Sequence, residues 1–263
     1  MTDSDFGAAR AALVDARRHA RALVLYPAAW IPADLAEAYR LQAAVIAGLG
    51  PIGAWKIAGV TPQQREAMGV DAPVASPLPF VEDGSVAPPA LRLAAFVAPK
   101  IECEFAFELG ADLPARSAPY SRDEVAGAVA SMRLAIEIVD SRLPLRSGTL
   151  AELADGFNNG SFVPGARLAD WRSLDLGAIG IVLTHTDSAS SALEFARGSG
   201  RAILEGDPFG AMVMLANAQP PGRGLRAGHI VTTGSCTGAP PVTRPGLYRA
   251  VFDGLGDVAL TIE

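Results

Sequence analysis

The chain has 263 residues, with 22 lysines and arginines against 28 aspartates and glutamates, a formal net charge of −6. Half of it is apolar and 19% is charged, enough to build a core and to exclude disorder as the dominant state. The acid excess and the 6% aromatic content exclude a general nucleic-acid binder, which needs clustered cations for phosphates or rings for bases. Two cysteines, Cys103 and Cys236, cannot make a disulfide scaffold and fit a reducing compartment. The N-terminus is acidic with no apolar run behind it, and no stretch of 18 apolar residues occurs, so a cytoplasmic protein with no membrane partner is expected.

The first fifty residues read as helical. Phe6, Ala9, Leu13 and Ala16 fall on one helix face. Pro32-Ala33-Asp34 opens a second helix with Leu35, Tyr39, Gln42 and Ile46 inside, and Gly48 and Gly50 end it in the left-handed conformation. The proline-rich stretch 61–95 reads as loop with short strands, either a lid or a plain surface segment. Ile101, Cys103, Phe105 and Phe107 alternate with Glu102, Glu104 and Glu108, the pattern of a half-buried strand. Ser121-Arg122-Asp123-Glu124 is a capping box, and Val125, Ala128, Val129, Met132 and Ile136 continue its helix before a strand at 136–139. Asp207-Pro208 starts another helix running to about Asn217. Segments 229–233, 248–252 and 258–262 read as glycine-punctuated strands. Helix and strand do not alternate strictly, so the class is α+β and not a doubly wound parallel sheet.

The main chemical feature is Glu102-x-Glu104. Residues two apart on a strand point the same way, roughly 7 Å apart, and paired carboxylates repel unless a cation lies between them. Hard oxygen donors suit magnesium, manganese or calcium, with Glu137 as a third ligand because an unpaired charge among Ile136, Ile138 and Val139 is costly. The alternative is an ordinary solvated strand face. Lys56, in Trp55-Lys56-Ile57, is either buried beside a carboxylate or an edge lysine with its ammonium in water. Gly234-Ser235-Cys236-Thr237-Gly238 either cradles a carboxylate or simply turns the chain. The glycines at 222, 224 and 228 do not make a dinucleotide fingerprint, since they follow a helix and precede a strand. His19, His185 and His229 are scattered and read as structural or surface groups.

Taken in order, residues 53–61, 101–107, 135–142, 206–208 and 225–235 resemble the 2-keto-4-pentenoate hydratase group of the fumarylacetoacetate hydrolase superfamily. That group includes 2-hydroxypentadienoate hydratases and 4-oxalocrotonate decarboxylases. The resemblance implies a β-rich roll of mixed sheets (53–263) behind a small helical N-terminal region (1–52). It implies Glu102, Glu104 and Glu137 as ligands of Mg2+ or Mn2+, Lys56 as a catalytic and substrate-binding lysine, and Gly234 and Ser235 as pocket lining. It also implies a homo-oligomer acting in aromatic-compound catabolism.

The sequence departs from the group's pattern in several places. A glycine–aspartate pair is replaced by Gly228-His229 and a second by Gly246-Leu247, and 155–161 is altered. The hydratases carry an acid shortly after the loop that here spans 70–80; no acid stands there, which leaves Glu82 and Asp83 as candidate catalytic acids. The expected reaction is metal-dependent hydration of a 2-hydroxy-2,4-dienoate, the cation holding the carboxylate and 2-oxygen and stabilising the enolate. Decarboxylation of a 2-oxo acid, hydrolysis of an acylpyruvate, and a non-catalytic ligand-binding subunit are the alternatives.

Overall fold

In the computed structural model, which describes residues 1–187, 191–220 and 223–263, local chemistry sets most element ends. Gly222 of the glycine cluster lies outside the described residues. Helix α1 (Asp3–Arg18) is capped by the Thr2 hydroxyl, which accepts from the Asp5 N–H, and buries Ala9, Leu13 and Ala16 as the spacing predicts. Helix α2 (Leu35–Ala47) begins at Leu35 rather than at Pro32, because the Asp34 side chain caps it by accepting from the Glu37 N–H. It ends at Gly48 with φ −83°, so the left-handed ending expected there is not made; the Gly48 N–H bonds back to the carbonyls of Val45 and Ile46 instead.

Strand β1 (Ala54–Ala58) carries Lys56. The stretch 61–95 is more ordered than its prolines suggest. Thr61 and Gln64 form a capping box with a proline in the first turn, and helix α3 (Pro62–Met68) follows, closed by Gly69 at φ +66°. Seven residues without a buried side chain leave no periodicity to read. Strand β2 (Val74–Leu78) is buried throughout, and β3 (Ala90–Leu91) is a two-residue edge.

Strand β4 (Lys100–Leu109) is followed by α4 (Arg122–Ala128), which opens on the expected Ser121–Glu124 capping box. The helix stops at Ala128. Val129, Met132 and Ile136 belong to strand β5 (Val129–Val139), not to a continuing helix stripe. The cause is that Val125, Ala128, Val129, Met132 and Ile136 fall at spacings of three and four behind a capping box, while polar Ser131, Arg133 and Glu137 are buried among the apolar residues of the strand. Next come α5 (Thr149–Ala154), β6 (Asn159–Leu168), β7 (Gly180–Thr186) and β8 (Leu193–Ser199). Helix α6 (Pro208–Asn217) has Asp207 as its cap, and β9 (Ile230–Thr232), β10 (Gly246–Phe252) and β11 (Gly256–Ile262) complete the chain.

The strands form two mixed sheets. One has the order β2-β1-β9-β4-β5-β6, the other β3-β11-β10-β7-β8. Strand β9 is the wedge of the larger sheet, parallel to β1 and antiparallel to β4. Ile101, Cys103, Phe105 and Phe107 of β4 and Met132, Leu134, Ile136 and Ile138 of β5 share one core with Tyr248, Phe252 and Leu260 of the smaller sheet. Phe105 meets Phe252 edge-on, with ring centroids 5.3 Å apart. Alternation then turns Lys56, Glu102, Glu104, Glu137 and Thr232 to the opposite face of the larger sheet.

Candidate metal and substrate site

Glu102 of β4 stands directly opposite Glu137 of β5 in the antiparallel register, and Glu104 is two residues along the same face. One carboxylate oxygen from each lies within 4.8 Å of the others. Lys56 Nζ, from β1, donates to Glu137 Oε1 at 2.5 Å, so the lysine is buried against a carboxylate and is not an edge group. Glu104 Oε2 accepts from the Gly234 N–H at 2.7 Å and from the Thr232 hydroxyl. Gly234 has φ +109°, a conformation glycine adopts freely, and this aims its N–H at Glu104. The second oxygen of Glu137 is buried with no hydrogen-bond partner.

The electrostatics of the cluster ask for a cation. Three carboxylates face one ammonium. Burial, then Glu104, hold the Glu102 carboxyl well above its ordinary value, partly offset by Lys56. Burial pushes Glu137 up to about 7, with Lys56 opposing the shift. Burial alone would lower the Lys56 ammonium, but Glu137 and Glu102 outweigh it and its proton affinity is raised. The orphaned Glu137 oxygen, the mutual repulsion and the all-oxygen donor set fit a hard divalent ion such as magnesium, manganese or calcium.

A cavity of about 440 Å³ opens onto this cluster. Lys56, Glu102, Gly234 and Ser235 line it, as the resemblance implies for the lysine and the 234–235 turn. Ser235 Oγ is already used, donating to the Gly238 carbonyl at 2.6 Å. Glu82 and Asp83 are not brought to this cavity. Glu82 lines a separate one, and Asp83 caps a local turn by accepting from the Ser85 N–H at 2.9 Å. Nor does the 70–80 segment supply an acid. Strand β2 pairs Ser76 opposite Lys56, and the Ser76 hydroxyl donates to the Gly156 carbonyl.

Four polar residues that line the cavity escape a reading of the sequence: Gln64, Lys100, Asn158 and Thr233, the last with its hydroxyl donating to the Phe105 carbonyl. Lys100 had a signal, because it shares strand parity with Glu102 and Glu104. Gln64 was hidden in the unread helix α3. Asn158 lies in a turn where Gly156, Phe157 and Asn158 all have positive φ (91°, 53° and 59°), held by the Phe157 N–H on the Glu152 carbonyl and the Asp140 N–H on the Asn158 carbonyl. The histidines stay outside: His185 bonds the Pro245 carbonyl and His229 accepts from the Trp55 indole. Both cysteines are free and buried, and burial pushes Cys103 up to about 12 and raises Cys236 as well, which rules out a ready thiolate.

No family model matches the chain. A 2-keto-4-pentenoate hydratase of Burkholderia vietnamiensis is 34% identical over 214 residues, which cover 78% of this chain and 76% of that protein. A 2-keto-4-pentenoate hydratase of Paraburkholderia phymatum is 37% identical over 172 residues, 64% of this chain and 62% of that protein. A solved 4-oxalocrotonate decarboxylase of Pseudomonas putida G7, complexed with magnesium and adipate, superposes with a TM-score of 0.84 at 22% identity, over 100% of this chain and 99% of that one. The α+β roll of mixed sheets is thereby borne out.

Proposed function

This chain belongs to the 2-keto-4-pentenoate hydratase family, and from that membership we propose that it is a metal-dependent lyase hydrating a small 2-hydroxy-2,4-dienoate to a 4-hydroxy-2-oxo acid. The observation that carries the reading is the shared sheet face of Glu102, Glu104 and Glu137, with one buried carboxylate oxygen unpartnered and Lys56 bonded to the other. Bound there, magnesium or manganese would supply Lewis-acid polarisation of the substrate's carboxylate and 2-oxygen. Glu102, Glu104 and Glu137 are the ligands in this proposal. The Gly234 N–H and the Thr232 hydroxyl fix the rotamer of Glu104.

Lys56 is the cation of the site and its proton relay. Its raised proton affinity keeps the ammonium charged, so it neutralises a substrate carboxylate, and any proton it passes to the far end of the dienol is returned to it from the enol or the water. Overall, the enol proton and the two protons of water end on C5, C3 and the new C4 hydroxyl. Ser235 and the Gly234 backbone line the wall beside the substrate. Glu82 and Asp83 take no part, because neither lines the cavity. The absence of any further carboxylate among the described lining residues favours one second reading, decarboxylation of a 2-oxo acid, which needs the same electron sink but no base for water. A cytoplasmic setting and a homo-oligomer belong to the same proposal; among the described residues, no helix is long and apolar enough to cross a membrane.

The test is loss of dienol absorbance on adding magnesium or manganese, with products analysed for the 4-hydroxy-2-oxo acid, carbon dioxide or cleavage fragments. Hydration product that disappears in Glu102→Gln and Glu104→Gln supports the proposal. Full activity in those variants refutes the site, and carbon dioxide as the sole product replaces hydration with decarboxylation.

A further inference from the structure

A second cavity, about 470 Å³, lies between the C-terminal end of α1 and the start of β6. Arg17 and Ser161 both line it, and both carry unused hydrogen-bonding capacity. Ser161 is 4% exposed and its hydroxyl has no partner. The Arg17 Nε is shut from solvent and also has none. Its guanidinium donates to the Asn159 side chain and stacks over Phe80, 5.4 Å from the ring centroid, but makes no ion pair with any described residue.

A cation at a helix C-terminus is often explained by the helix dipole. That accounts for Arg18, which is exposed and donates to the Gly48 carbonyl. It does not account for Arg17, whose charge is disfavoured by burial and by the neighbouring Arg142, is only partly offset by Asp155, Asp140 and Glu137 at a distance, and has no acid in direct contact among the described residues. Arg18 and Arg92 add two more positive charges to the lining, Arg92 again with no ion pair to a described residue, and Glu82 is the only acid among the described lining residues. Phe80, Leu91 and Phe96 supply apolar wall.

We propose that this second cavity binds a small organic carboxylate with a flat apolar body, its head on Arg17, Ser161 and Arg92 and its body against Phe80 and Phe96. The unsatisfied donors define the head group, because a carboxylate accepts from a guanidinium and a hydroxyl together. The aromatic wall argues against inorganic phosphate, which would leave Phe80 and Phe96 without contact.

The probe is benzoate, titrated calorimetrically into the metal-free protein, with a 4-bromobenzoate co-crystal to locate bromine by anomalous scattering. Saturable binding and a bromine peak beside Phe80 are expected. Arg17→Gln should raise the dissociation constant at least about tenfold and Ser161→Ala about threefold. Lys100→Gln, an exposed residue of the other cavity, should leave it unchanged, which separates this result from the fate of the hydratase reading. If Arg17→Gln does not fold, Ser161→Ala and Arg92→Gln carry the test. Bromine only at the Lys56 cavity, no saturable binding, or wild-type affinity in Ser161→Ala and Arg92→Gln would overturn the proposal.

Discussion

Each carboxylate of the acidic trio has a different hold on its surroundings, and this predicts different consequences of replacing its neighbours. Glu104 is positioned by two donors, so Thr232→Val should weaken manganese binding about tenfold while the fold persists, as a calorimetric titration would show. Glu137 is bonded to Lys56, and removing one partner of a buried pair costs about 3–5 kcal/mol. Lys56→Met should therefore lose that much stability in chelator and recover most of it with manganese, which replaces the missing charge; thermal melts in the two conditions are the measurement. The pH dependence has a definite sign. Without metal, Glu137 titrates near 7, above an unfolded carboxyl. Its contribution to stability is present below the unfolded value and is lost as pH rises through about 7. Protons and metal compete for it, so manganese affinity should climb between about pH 6 and 8. A flat profile would show that Glu137 is not a ligand.

At the scale of single elements, the legible pieces are those whose ends carry their own chemistry. Capping residues mark Ser121 and Asp207 directly, and α6 runs over the residues the sequence indicates. Asp207→Ala should cost about 1 kcal/mol in urea unfolding, since the carboxylate accepts from the Gly210 N–H at 2.9 Å, with no change in metal affinity. Strand β5 reads as helix in its first half because Val125, Ala128, Val129 and Met132 fall at spacings of three and four behind a capping box, which outweighs the alternation of Met132, Leu134, Ile136 and Ile138 with Arg133, Ala135 and Glu137. Helix α3 and strand β2 hide in a proline-rich stretch, where the signs of a loop outweigh a single capping box. The trio itself was visible for the opposite reason: charged residues inside otherwise apolar strands stand out. What the spacing cannot give is which residues of distant segments line the same cavity, such as Gln64 of α3 and Asn158 of the turn before β6.

Across the whole molecule, the two sheets depend on one shared core, and the site is a by-product of their alternation. Phe105 and Phe252 join the sheets at its centre; Phe105→Ala should cost about 3–5 kcal/mol and lower both melting temperature and metal affinity, because β4 carries the acids on its other face. The α+β class was readable from element order, whereas the strand order was not, since nothing local announces that β9 inserts between β1 and β4. That insertion has a consequence for how the protein is made. As the chain leaves the ribosome, the hairpin bearing Lys56 and the ribbon bearing the three glutamates emerge early and meet on one side, where Phe80 and Glu82 bond Phe162 of β6, but the strand that pairs with both β1 and β4 is Ile230–Thr232. The larger sheet is therefore closed between β1 and β4 only after residue 232 has been made, so the face that carries the lysine and the acids is completed late in synthesis.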